Sequence, residues 1–218
     1  MNKQWIVVAS VVAVVVAFIA GAVVFKGRET QQVSQAAQSN SDALIRASSP
    51  VFGNPAAKVT IVEFFDPACE TCRAFYPLVK TIVNSSFGQV RLVVRHAPLH
   101  QGSDTAVKIL EAARLQGQYW PAVERALAGQ PQWAAHGNAR PELIWDLITD
   151  VGLDMAKARA DADSPAVAQL LSQDIADMKA LKVDRTPGFF VNGTPLRDFG
   201  EAQLRALVDQ EIKKVKAP

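Results

Sequence analysis

Residues 59–77, VTIVEFFDPACETCRAFYP, restrict what this chain can fold into more than any other stretch. Val59 to Phe65 is a short apolar run rich in β-branched and aromatic residues, which reads as a buried strand. Cys69-Glu70-Thr71-Cys72 follows after a three-residue turn, where a helix begins, and these are the only two cysteines of the chain. A helix N-terminus presents unpaired N–H groups and the positive end of the macrodipole, both of which favour a thiolate over a thiol. Cys69 is therefore the expected nucleophile, and Cys72, one turn further in, is placed to resolve a mixed disulfide. A zinc site is a rival use of C-x-x-C, but no second pair exists, and His96, His100 and His136 do not have finger spacing. An inert pair of thiols or a static disulfide is the other rival.

The segment SPVFGNPAAKVTIVEFFDPACETCRAFYPLVK resembles the DsbA-like branch of the thioredoxin superfamily, with its V-T-I-V-E-F strand and D-x-x-C-x-x-C motif. A second block, Thr186-Pro187-Gly188-Phe189-Phe190-Val191-Asn192-Gly193, also matches, so the resemblance runs from about Ser49 to the C-terminus. It implies that Pro187 is cis and packs beside the dithiol, and that Thr186 contacts the substrate peptide. It also implies that Glu63, six residues before Cys69, is a buried acid that moves a proton to and from Cys72. Apolar neighbours on both sides of Glu63 agree with burial, which would raise its pKa; a strand-end glutamate reaching solvent is the bland reading. Many members carry proline where this chain has Glu70, and a negative charge there disfavours the Cys69 thiolate, while the Thr71 hydroxyl can partly offset it.

Ile6 to Phe25 carries no charge and is flanked by Lys3, Lys26 and Arg28. That length suits one N-terminal transmembrane helix, expected over 1–26 as an uncleaved signal anchor, with a cleaved signal peptide at Ala20-Gly21-Ala22 as the alternative. A redox dithiol fits an oxidising compartment, so the expected location is a bacterial inner membrane, single pass, with the catalytic domain in the periplasm; after cleavage it would be soluble periplasmic. Residues 27–49, rich in Gln and Ser, read as a flexible linker.

The domain proper is expected over 50–218. Val90 to His96 is a second strand, and His96 to Gly102 a loop leaving it. From about 103 to 181 the apolar spacing becomes helical, as in Ala106, Val107, Leu110 and Ala113. Gly188 to Arg197 reads as a hairpin closed by Asn192-Gly193, and Leu204, Leu207, Val208, Ile212 and Val215 give an amphipathic last helix. The fold class is thus α/β: a thioredoxin fold with a helical domain inserted, preceded by the transmembrane helix.

A net charge of +2 carries no nucleic-acid footprint. No cofactor and no metal are expected, because the electrons reside in the cysteines. The expected partners are protein thiol and disulfide substrates, the membrane itself, and a membrane redox partner. The leading functional expectation is a DsbA-like oxidase of envelope proteins. The alternatives are a reductase or isomerase kept reduced by a membrane donor, and a copper-handling dithiol protein.

Overall fold

The computed structural model describes residues 3–216. In chain order the elements are α1 (Lys3–Ser39), α2 (Ser41–Leu44), β1 (Val51–Gly53), β2 (Val59–Phe65), α3 (Glu70–Ser85), β3 (Val90–His96), α4 (Ser103–Leu115), α5 (Tyr119–Ala128), α6 (Gln130–Trp133), a 3-10 turn (Pro141–Leu143), α7 (Ile144–Leu147), α8 (Met155–Ala162), α9 (Pro165–Ala180), β4 (Gly188–Val191), β5 (Thr194–Pro195) and α10 (Glu201–Lys216). The five strands form one sheet in the order β1-β3-β2-β4-β5. β2 and β3 are parallel with α3 between them in the chain, whereas β4 runs antiparallel to β2. Asn192 and Gly193 both have positive φ, 46° and 82°, which matches the twist of a tight hairpin and pairs Val191 with Thr194.

β2 is buried at every position because helices cover both faces of the sheet. Alternation along the strand divides its side chains between two cores. Val59, Ile61 and Phe65 pack with α3, α4 and α10, together with the helical insertion. Val62 and Phe64 pack with Val93, Phe190, Met178 and Leu181 on the opposite face. By the same alternation Glu63 shares the face of Ile61 and Phe65, the face that α3 covers.

The N-terminal expectations are corrected here. Among the described residues no helix is long and apolar enough to cross a membrane. The apolar run lies in α1, and the same helix continues without a break into the polar residues up to Ser39. The transmembrane helix of the expected fold class, the signal anchor, the single-pass inner-membrane location and a membrane redox partner reached through that helix are therefore not supported. Met1 and Asn2 of the expected 1–26 segment lie outside the described residues.

The stretch expected to be a linker, 27–49, is helical to Ser39 and again in α2. Ala36, Ala37, Ala43 and Leu44 are buried, and the last three join the core that holds Val62 and Phe64. Small residues make close contacts that composition does not reveal. Arg95 ties this segment down. Fully buried on β3, it donates to Asp174 Oδ1 at 2.7 Å, to Asp177 Oδ2 at 2.5 Å and to the Ala43 carbonyl. Arg46 completes the cluster on Asp177 Oδ1 at 2.7 Å. Removing one partner from a buried charge cluster strands the others. Arg95→Met should therefore destabilise the protein by about 3–5 kcal/mol, read from urea unfolding; a loss below 1 kcal/mol would show the acids to be hydrated.

Candidate active site

The turn Asp66-Pro67-Ala68 carries the chain from β2 into α3, and Asp66 organises it. Its backbone oxygen accepts the Cys69 N–H at 3.1 Å, and its Oδ1 accepts the Ala68 N–H at 2.9 Å and the Ser103 hydroxyl. Oδ2 accepts the N–H groups of Leu99 and His100 at 2.8 and 3.0 Å, and faces His100 Nδ1 at 2.7 Å. This carboxylate, fully buried, stitches the dithiol turn to the loop after β3. Partial burial opposes a charged His100, but the bond to Asp66 together with the charges of Asp66, Cys69 and Glu70 outweighs it, and the imidazole pKa is raised.

Cys69 is the N-cap of α3, in extended conformation with ψ 120°, and its Sγ accepts the Cys72 N–H at 3.4 Å. Both cysteines are free and buried. The Cys69 pKa is lowered to about 5, chiefly by the hydrogen bond from the Cys72 thiol, against the opposing effect of burial. The Thr186 side chain and the backbone N–H groups of Cys72 and Thr71 add to the lowering. As a thiol Cys69 donates to the Thr186 carbonyl at 3.3 Å. The buried Thr186 hydroxyl then has no partner of its own, so it is free to donate once the sulfur is charged. Burial pushes the Cys72 thiol the other way, well above the ordinary range, and the bond to Cys69 and the charge of Glu63 reinforce this. One thiol of the pair is thus set to ionise and the other to stay protonated.

Glu63 lies beneath the pair at 1% exposure, and its Oε1 has no hydrogen-bond partner. Burial, then the nearby Cys69 charge, raises its pKa to about 8. The Thr186–Pro187 peptide is cis and precedes β4. Beside it opens a cleft of about 150 Å³, lined in part by Val183, Pro187, Phe189, Arg197 and Phe199. Phe75 of α3 packs on Phe199 with ring centroids 4.5 Å apart, so the cleft adjoins the dithiol helix.

Cys69, Cys72, Glu63, Thr186 and Pro187, singled out in sequence, are therefore brought together. Two others sit differently from expectation. Glu70 is exposed, its Oε1 3.8 Å from His136 Nε2, and solvent screens its charge. Thr71 acts on the sulfur through its backbone N–H, which any residue would supply. His96 points away from the dithiol into the interior, its Nδ1 2.9 Å from Asp174 Oδ2 and its Nε2 3.0 Å from Tyr119 Oη. Gln130, which no local pattern marked, donates from α6 to the carbonyls of Pro67 and Cys69. Among the described residues, no group of three or more His, Cys, Asp or Glu is arranged to hold a metal ion. What the arrangement can do is thiol–disulfide chemistry with the cysteines as the redox group.

Known proteins agree. The chain is 33% identical to a thioredoxin-like oxidoreductase from Silicibacter pomeroyi, whose crystal structure superposes with a TM-score of 0.69 over 82% of this chain and 99% of that one. It is 35% identical over 148 residues, 67% of its length, to the Na(+)/H(+) antiporter NhaA of Herminiimonas arsenicoxydans, yet it spans only 23% of that protein. It is 23% identical to Disulfide bond formation protein D of Bacillus subtilis, over 75% of this chain and 77% of that one. Residues 46–210 match the family model described as Thioredoxin, and with that match covering most of its length the chain belongs to the thioredoxin family.

Proposed function

We propose that this protein reduces or reshuffles disulfides in other proteins through Cys69 and Cys72, rather than acting as a strong oxidase. The observation that carries this reading is Cys69 Sγ at the N-cap of α3, accepting the Cys72 N–H at 3.4 Å with the thiol beside it still protonated, an environment that lowers its pKa to about 5. Comparable cysteines with pKa about 3.5 and about 7 belong to couples near −120 and −270 mV respectively. A nucleophile between those two values supports a couple of intermediate poise, less oxidising than the strongest oxidases and nearer to protein disulfide isomerase. At such a poise the pair can give electrons to a wrong disulfide and take them back.

In the proposed cycle the Cys69 thiolate attacks one sulfur of the substrate disulfide, and the other sulfur leaves as a thiolate. The mixed disulfide has consumed the Cys69 charge. That charge is one of the two causes holding the Glu63 pKa up, so its loss favours an ionised Glu63 just when Cys72 needs a base. Cys72 gives its proton to Glu63 and attacks Cys69 Sγ, which leaves a Cys69–Cys72 disulfide and releases the second substrate thiolate. In reshuffling, a different substrate thiolate attacks the substrate sulfur of the mixed disulfide before Cys72 acts, which forms a new substrate disulfide and releases Cys69 as its thiolate. Thr186 would pair its backbone with an extended substrate segment, with side chains entering the cleft lined by Phe189 and Phe199.

Equilibration of the reduced protein against glutathione tests the poise. The expected potential lies well below about −120 mV, towards the isomerase level of about −180 mV, with restoration of activity to a scrambled disulfide protein. A value near −120 mV, with rapid oxidation of reduced substrates, would return the reading to an oxidase. Cys72→Ser should accumulate mixed disulfides on Cys69, while Cys69→Ser should form none.

Glu63 also leaves a mark on stability. Its folded pKa of about 8 exceeds the ordinary 4.5, so the fold keeps a proton there that the unfolded chain has released. The associated stability is present below about pH 4.5 and is lost as the pH rises towards about 8. Glu63→Gln should therefore gain stability relative to wild type between pH 5 and pH 8, in urea unfolding of the reduced proteins. It should also slow the resolving step about 100-fold. A stability difference independent of pH would mean that Glu63 is ionised throughout.

A further inference from the structure

Gln130 opens α6, more than sixty positions along the chain from the dithiol turn, and is 2% exposed. Its Nε2 donates to the Pro67 carbonyl at 2.7 Å and to the Cys69 carbonyl at 3.0 Å. Two carbonyl oxygens can be met only by N–H groups, so the amide has one possible orientation. The Cys69 oxygen also accepts the Arg73 N–H at 3.1 Å, which uses both of its lone pairs. At the other end of the amide, Gln130 Oε1 is buried with no hydrogen-bond partner. Burying a carbonyl oxygen away from any protein donor is costly. A residue needed only to fill this volume would be apolar, as methionine is, and would carry no such cost. The amide is present for its donors.

The support beneath Gln130 is rigid. Trp133, at the far end of α6, is fully buried and donates from Nε1 to the Ala126 carbonyl at 2.8 Å. Gly129 lies so close to α7 that a Cβ there would come within 2.3 Å of Leu147 Cδ1. The helical insertion thus has a fixed foot, and from it Gln130 grips the backbone on both sides of Ala68.

We propose that Gln130 is a positioning residue of the dithiol, through which the helical insertion reaches the reacting sulfur. By holding the carbonyls of Pro67 and Cys69 it keeps their negative ends off Cys69 Sγ and leaves the N–H groups of Thr71 and Cys72 aimed at it. A turn free to rotate either peptide unit would bring a carbonyl oxygen towards the sulfur and disfavour its negative charge. This rests on the reading of Cys69 as the nucleophile, and it gives the insertion a part in setting the reactivity of that sulfur.

Gln130→Met in the full chain removes the donors and keeps the volume. The ultraviolet titration of the Cys69 thiolate should then move up by about one pH unit. Reaction with a small aromatic disulfide at pH 5 should slow up to about tenfold, and the reduction potential should become more negative. A folded variant with the wild-type titration and potential, weaker only towards urea, would overturn the proposal and leave Gln130 as packing. If the variant does not fold, the wild-type protein still decides. The Gln130 side-chain amide resonance should shift along the Cys69 titration, and a stationary resonance would overturn the proposal. Failure of the functional reading looks different: wild type would not exchange with protein disulfides even though its Cys69 titrates low.

Discussion

Everything at this site depends on one placement, a cysteine sulfur serving as the N-cap of α3. The first N–H groups of a helix have no carbonyl to bind, and here they converge on Cys69 Sγ. The sulfur therefore accepts negative charge where it is otherwise nearly shut off from water. Cys72 adds a third kind of donor, its own thiol, which stays protonated because burial keeps it so. The two thiols have the same chemistry in isolation. Their environments push their pKa values apart, which supports the proposed division of attack and resolution between them.

Holding that geometry requires more than the helix. Asp66 lies inside the preceding turn, and its carboxylate accepts from five groups, three of them in the loop after β3 and one, Ser103, at the start of α4. Gln130 approaches from the other side and holds two carbonyls of the same turn. The turn is therefore braced by the sheet's own loop and by the helical insertion. Glu63 arrives by a different rule, since alternation along β2 assigns it to the face under α3. Its raised pKa follows from that register, for a shift of one residue would place it among Val62 and Phe64 on the other face.

Much of this was legible in the order of residues. The C-x-x-C pair after a β-branched run, the Thr186-Pro187 block and the Asn192-Gly193 turn each carry a local signal, and each occupies its expected element. The N-terminal region was not legible in the same way. An apolar run of nearly bilayer length suggested an anchor, but the helix containing it continues as a polar helix whose end is buried by alanines and Leu44. Composition weighs large apolar residues, whereas contact with a sheet face can be made by small ones. The buried charges of Arg95, Asp174 and Asp177 were also invisible, because a charged residue in sequence reads as solvated until its partners are known.

The sequence by itself determined the chemical groups of the site: the only two thiols of the chain, their place at a strand-to-helix junction, and the acid that lies one strand-length before them. These are short-range facts, set by strand and helix periods and by the residues that start a helix. Only the tertiary structure decided how reactive that pair is. The lowered Cys69 pKa, the raised Glu63 pKa and the grip of Gln130 depend on desolvation and on hydrogen bonds from residues far apart in the chain, and neither exists until the insertion, the Thr186 loop and the sheet have closed around the dithiol.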